Sequence, residues 1–459
     1  MRQQDKHRIS ALKPIRVEDI LGFAVSHTQR QKLALSVNER VFYGWPMVAV
    51  AALGLFASGP GQSHTFSVFN GPIGDELGIS ATSVAIAYAI ATVAAAFMLP
   101  VMGRQVDRFG ARFSLIGIIS ALGLACMFFG AAANYIWLVV GFGLLRFLGQ
   151  GSLMLGSANL VAQWFNKKRG FAMSLMAMGF GLSIAVHPKL GQYLIDAYDW
   201  RTAWVILGLM TWAMMLPVLI LFVHDKPEPL GLRPDNAPAT DDAAPALTGP
   251  NLSEALRHRS FYLICAAWFG LSSLVTALHY HQVNILKLQN IPADIATNSF
   301  IVTMVAMLLL MPLVGRACDR FRTRYVLAAG LLVQSASLFA VTYVSATPTI
   351  EILGLTFTLS QIVFGAIFGL NNAFTMTLFG YVWPRYFGRL HLGKIQGSGQ
   401  LVAVIGASLG PIPVSYAFDA TGDPTDMIRA LAIYPVIAAV ACIALLQTHP
   451  KVEGSEHLE

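Results

Sequence analysis

The chain has 459 residues, 55% of them hydrophobic and only 12% charged, and its mean hydropathy is +0.60. This composition excludes a soluble globular domain of ordinary residue usage and points to a bilayer, since about 20 apolar residues suffice to cross a hydrocarbon core of roughly 30 Å. The net charge of +7 does not imply nucleic acid, because basic residues of membrane proteins gather on one set of loops.

The first 42 residues mix eight lysines and arginines with four acids and read as a solvated cytoplasmic tail without a cleavable signal; lying on anionic lipid is the alternative. From Tyr43 onward, apolar runs predict helices near 44–69, 82–102, 113–132, 136–163, 170–195 and 201–223. The interval 224–258 holds six prolines and reads as a loop. Six further helices are predicted near 260–286, 295–314, 325–345, 350–382, 395–418 and 427–447. The expected organisation is a tail (1–42), a six-helix half (43–223), a cytoplasmic loop (224–258), a second six-helix half (259–448) and a cytoplasmic tail (449–459). Seventeen arginines and lysines fall on the loops of the tail side. Lys189, Arg201, Lys287 and Arg429 alone fall opposite, which predicts both termini in the cytoplasm of a cell that holds the protein in its inner or plasma membrane.

Two stretches repeat. GRQVDRFGAR, residues 103–112, returns as GRACDRFRTR at 315–324, so that Gly103, Asp107 and Arg108 match Gly315, Asp319 and Arg320 at an offset of 212. Both copies read as tight loops between helices. A second echo pairs Pro188 and Asp196 with Pro411 and Asp419, making the fifth and eleventh helices counterparts.

The first repeat resembles the loop signature of the major facilitator superfamily. FYGW at 42–45 and KPEPLGLRPD at 226–235 resemble its monocarboxylate porter and oxalate/formate antiporter branch. The resemblance implies an all-α membrane fold of twelve helices in two pseudo-symmetric six-helix bundles, a non-enzymatic transporter without a cofactor, and a monomer. It also implies a gating role for Gly103, Asp107, Arg108, Gly110, Arg112, Gly315, Asp319 and Arg320. Two departures stand out. Asp199 replaces a glycine common in the family, and Arg322 replaces the glycine that matches Gly110, which suggests a looser second lock.

No acid falls deep in an apolar run, so a proton-coupling group must be sought among histidines, whose ordinary pKa is near 6.5. Arg146 is the sole basic residue well inside such a run. A lipid-facing arginine is costly, so it should face a polar cavity, where a two-pronged guanidinium suits a carboxylate; a role in helix packing or gating is the alternative. His64 and His279, 215 residues apart, are expected to be pseudo-symmetry mates that bind an anion or exchange protons, or else neutral side chains bonded to backbone carbonyls. His281 should point elsewhere on the helix. Gln150, Asn371 and Asn372 are candidate cavity amides. Gly149, Gly151, Gly156, Gly179 and Gly181 read as close-packing positions. The four cysteines are scattered singly and read as packing residues. GRLHLGKI at 388–395 mimics a phosphate loop, but Ile395 stands where magnesium chemistry needs Ser or Thr.

The expected function is secondary transport of a small organic anion, by proton symport or anion exchange. A monocarboxylate is favoured over a dicarboxylate because the second half has no membrane-embedded cation. Efflux of a neutral or amphipathic compound is the alternative.

Overall fold

A computed structural model describes residues 27–165, 168–236, 249–388 and 392–447. Residues 1–26 of the first predicted tail, all of the second (449–459), the middle of the central loop, Lys167 and Arg389 lie outside them. Helix α1 (His27–Asn38) precedes the membrane region. The first span is interrupted: α2 (Gly44–Ala57) and α3 (Ser63–Leu77) are separated by a 3-10 turn at Gly59–Gly61. Then come α4 (Ala81–Val106), α5 (Arg108–Gly130), α6 (Tyr135–Trp164), α7 (Arg169–Ala197) and α8 (Trp200–Phe222). The second half contains α9 (Arg259–Leu288), α10 (Asn298–Arg320), α11 (Thr323–Val341), α12 (Leu359–Phe387), α13 (Leu392–Leu409), α14 (Pro411–Thr421), α15 (Thr425–Leu431) and α16 (Ile433–Leu445). Eleven helices among the described residues are long and apolar enough to cross a membrane, and α2 with α3 makes the twelfth span.

Three boundaries differ from expectation. Residues 349–358 form a hairpin of β1 (Thr349–Ile352) and β2 (Leu355–Thr358) where the tenth predicted helix was to begin. Leu353 and Gly354 both have positive φ, as a two-residue hairpin turn of this hand requires, and Thr358 with Gln361 forms the capping box that starts α12. The first span runs eight residues past its expected end, to Leu77, and is broken at Gly-Pro-Gly. Finally, 103–112 is not a tight loop. Helix continues through it apart from Gly110, at φ 81° and ψ 165°. The second copy is helical to Arg320, and Arg322 takes an ordinary φ of −59°.

In lipid, apolar burial does not itself drive helices together, so close packing and backbone satisfaction decide the fold. A Cβ on Gly179 would lie 1.8 Å from the Ala52 carbonyl, and one on Gly410 would lie 2.0 Å from that of Ser273. Those contacts relate α7 to α2 and the α13–α14 junction to α9, equivalent pairs in the two halves. Trp204 anchors an aromatic cluster with Phe66, Phe69 and Phe129, at ring separations of 4.7 to 5.7 Å.

The carboxyl end of α8 is capped throughout by side chains. Arg112 donates to the carbonyls of Leu219 (3.4 Å) and Ile220 (2.9 Å), Arg30 to those of Leu221 (3.4 Å) and Val223 (2.5 Å), and Tyr43 to that of Phe222 (2.7 Å). Two cations thus sit on the negative end of the helix dipole. At the other end of α8, Asp199 accepts the amides of Arg201 and Thr202 and the Thr202 hydroxyl. The Thr202 hydroxyl and amide hold this carboxyl below the usual aspartate range.

The halves meet through α3 against α9, α7 against α10, and α13 and α14 against the α4–α5 pair. Hydrogen bonds between them cluster on the face away from α1. Asp419 accepts the amides of Ala81 (3.1 Å) and Thr82 (2.8 Å), capping α4 across the interface. Asn70 donates to the Tyr280 carbonyl (3.2 Å), Ser67 accepts the Val283 amide (3.1 Å), and Lys189 donates to the Asp294 carbonyl (2.8 Å). On the opposite face, a Cβ on Gly103, Gly315 or Gly397 would meet nothing within 4 Å. The described hydrogen bonds between the halves thus tie the far face together.

Candidate half-interface site

The break in the first span is the hub of the site. A helix interrupted by Gly59-Pro60-Gly61 exposes carbonyls that neighbouring groups must satisfy. The Gly59 carbonyl accepts from the Thr65 hydroxyl at 2.6 Å, and the Gly61 carbonyl accepts from Arg146 Nη1 at 2.9 Å. A Cβ on Gly61 would lie 2.3 Å from the Leu145 carbonyl, and one on Gly149 would lie 2.9 Å from Gly61 Cα. Only glycines allow α6 to approach the break this closely.

Arg146 opens a π-helical turn, Arg146–Leu153, inside α6, a distortion often found at functional positions. It is 2% exposed. Its Nε donates to the Thr92 hydroxyl of α4 at 3.1 Å, and its guanidinium carbon lies 4.9 Å from the Tyr88 ring centroid. It pairs with no carboxylate among the described residues. Tyr88 in turn packs on Tyr280 of the other half at 5.0 Å. Arg146 is thus separated from the half interface by a single aromatic layer. Two of its five N–H groups are used by protein acceptors. Gln150 follows in the same π turn and is half-buried.

His64 and His279 face one another across the halves, with ring centroids 5.9 Å apart. Neither binds a backbone carbonyl. His64 Nε2 lies 3.1 Å from Ser183 Oγ, His279 Nε2 lies 3.1 Å from Asn372 Oδ1, and both Nδ1 atoms are buried without a partner. Phe180, Phe300 and Phe368 surround the pair at ring distances of 4.6 to 6.2 Å. His281 turns away to the Pro411 carbonyl and Ser415. The two candidate asparagines separate: Asn372 reaches the histidine pair, while Asn371 donates to Gln334 at 2.7 Å inside the second half.

The described side chains of the two repeated segments do not converge on this site. Gly110 and Arg112 form a joint within the first half, where the Arg112 amide donates to Asp225 Oδ1 at 2.6 Å and a Cβ on Gly110 would lie 2.7 Å from that carboxylate. Arg108 and Arg320 are exposed and stack on the phenylalanines that follow them, at 5.2 and 6.0 Å. Gly103 and Gly315 face open space. The side chains of Asp107 and Asp319 lie outside the described atoms.

Several site residues went unnoticed in the sequence. Tyr88, Tyr280 and Thr92 look like ordinary span residues there. His187, which lies 3.1 Å from Ser183 Oγ, precedes Pro188 in the repeated echo, and its spacing of four from Ser183 was the available signal.

A Major Facilitator Superfamily model matches residues 51–411. The chain is 26% identical over 238 residues to the oxalate:formate antiporter of Oxalobacter formigenes, a match covering 50% of this chain and 52% of that protein. It is 26% identical over 195 residues to monocarboxylate transporter 11 of Homo sapiens, covering 41% and 40%. It is 22% identical over 396 residues to an uncharacterized 38 kDa protein in the 23S RNA operon of Thermoproteus tenax, covering 83% and 90%. The chain spans about half the length of the first of these relatives and less of the second.

Proposed function

Since the chain belongs to the major facilitator superfamily and is a membrane transporter, we propose that it moves a small organic anion of the monocarboxylate kind by alternating access, as a proton symporter or anion exchanger. The observation that carries this reading is Arg146. A guanidinium removed from water is costly, and here two hydrogen bonds and one aromatic face offset that cost without any carboxylate among the described residues. A carboxylate substrate is the missing counter-ion. Parting Tyr88 from Tyr280 as the halves rock would bring the unused N–H donors to the substrate. The printed names of the antiporter and of the monocarboxylate transporter point to the same substrate class.

In this reading His64 and His279 exchange the coupling proton, and their approach closes the path between the halves. Gln150 and Asn372 add polar contacts, while Asn371 supports the second bundle. The hydrogen bonds of the far face break when that face opens, and the two repeated segments gate the opposite face through Asp107 and Asp319. The charge bias of the loops supports cytoplasmic termini in a cell membrane. Proton symport then brings the anion inward when the far side is the more acidic.

A second reading, export of a neutral or amphipathic compound, draws support from the phenylalanines around the histidines and from the Gly61 carbonyl already bound to Arg146. Uptake of labelled lactate, pyruvate, formate and oxalate into proteoliposomes, with and without a pH gradient, separates the two. Saturable uptake of a monocarboxylate that a gradient accelerates supports the first. No uptake of any of the four, beside movement of an amphipathic dye, supports the second.

A further inference from the structure

His64, Ser183 and His187 form a buried chain leading away from the half interface. His64 Nε2 and His187 Nδ1 each lie 3.1 Å from Ser183 Oγ, and His187 Nδ1 lies 3.3 Å from the Ser183 carbonyl. His64 and Ser183 are fully buried, and His187 is 5% exposed. The His187 ring rests on Phe56 at 4.8 Å and fills the space where a Gly59 Cβ would be, 2.3 Å away, so the break in the first span holds it in place.

A serine hydroxyl has one proton and cannot donate to both imidazoles at once. Two arrangements satisfy the three groups. In one, His187 Nδ1–H donates to the Ser183 carbonyl, Ser183 Oγ–H donates to His64 Nε2, and His64 carries its proton on Nδ1. In the other, His64 Nε2–H donates to Ser183 Oγ, Ser183 Oγ–H donates to His187 Nδ1, and His64 Nδ1, buried without a hydrogen-bond partner, carries a lone pair.

We propose that Ser183 relays a proton between His64 and His187, making His187 the store for a proton taken up at the half interface; this rests on the reading of the histidine pair given above. Starting from the second arrangement, a proton arrives on His64 Nδ1. The His64 Nε2–H bond breaks as a new Oγ–H bond forms, and the original Oγ–H bond breaks as His187 Nδ1–H forms. His64 ends neutral with its proton on Nδ1, Ser183 is again a hydroxyl, and His187 is an imidazolium. His64 faces His279 from α9, Arg146 from α6 and His187 from α7. Among these, transfer to His187 moves positive charge away from the other half, where it would oppose protonation of His279.

Two measurements on the full-length protein test this. In proteoliposomes driven by a pH gradient, Ser183→Ala and His187→Gln should each lower labelled lactate accumulation at least tenfold. Exchange at equal pH should stay within threefold of the parent, and Ser183→Thr, which keeps the hydroxyl, should retain accumulation. Nitrogen-15 spectra of histidine-labelled protein in nanodiscs, assigned with single His→Gln variants, should show His187 doubly protonated at a pH where His64 is neutral. That measurement stands even if lactate is not carried or a variant fails to fold. Should His187 stay neutral while His64 or His279 takes the proton, the relay is wrong and the histidine pair survives. Should none of the three titrate over the range in which the protein stays folded, the pair reading fails with it.

Discussion

Asp225 and Arg112 cap two helices for one another. The Asp225 carboxylate accepts the Arg112 amide at 2.6 Å near the start of α5, while the Arg112 guanidinium donates to the Leu219 and Ile220 carbonyls at the end of α8. Each charge meets the helix end whose dipole it complements. The joint depends on Gly110, whose φ of 81° suits glycine and whose missing side chain leaves room for the carboxylate.

Gly110→Ala should therefore destabilise the protein by about 2 kcal/mol, from a left-handed backbone and a displaced cap. Asp225→Ala should cost about 1 kcal/mol. Because the alanine at 110 already pushes the carboxylate away, the double variant should lose less than the sum. Melting in detergent checks this, and strictly additive losses would contradict the joint.

Asp419 is the clearest contact tying the halves together on the far face. Asp419→Ala removes the acceptor for the Ala81 and Thr82 amides, so a more open population should appear. Spin labels at Ala133 and Asp426, both exposed on that face, should then show a longer distance component than the same labels in the parent. An unchanged distance distribution would remove Asp419 from the closure.

Asp199 offers a pH-dependent check on helix capping. Its folded-state pKa is depressed by the Thr202 hydroxyl and amide, so the stability it contributes is present above the ordinary aspartate value of about 3.9 and is lost as pH falls through the lower folded value. Asp199→Ala should cost about 1 kcal/mol at pH 7. The difference in melting temperature between parent and variant should shrink below pH 4. A gap that persists unchanged at pH 3 would exclude the charged cap.

Much of this architecture was legible in the residues because lipid imposes a simple rule: long apolar runs become helices, and the basic loops mark one face. The doubling at 103–112 and 315–324 is visible again in three dimensions, where Arg112 and Arg324 both stack on the aromatic residue that follows. Reading by run length concealed the break at Gly59-Pro60-Gly61, although those residues are strong punctuation, because the flanking segments are continuous in hydropathy. It also concealed the hairpin before α12, whose Ile, Leu and Phe residues give it the hydropathy of a span. Arg146, His64 and His279 stood out as polar groups in apolar surroundings. Their partners Thr92, Tyr88, Ser183 and His187 did not, since contacts between helices 50 to 120 residues apart leave no local pattern. Asp225 was hidden for the opposite reason: an acid in a polar loop looks solvated until the fold brings it to the start of α5.

If Arg146 is an anion ligand, anions should stabilise the folded protein through its guanidinium. Melting of the purified parent, Arg146→Lys and Arg146→Gln proteins should be followed against rising lactate, pyruvate, formate and oxalate, with uncharged lactamide as a control. A ligand bound by the folded state alone raises stability by about 2.7 kcal/mol at a hundred times its Kd. The parent should be stabilised by at least one monocarboxylate and not by lactamide. Arg146→Lys should need higher concentrations, since a point charge replaces a two-pronged donor, and Arg146→Gln should melt cooperatively without responding. Equal stabilisation of the parent and Arg146→Gln by the same anion would contradict a ligand role for Arg146.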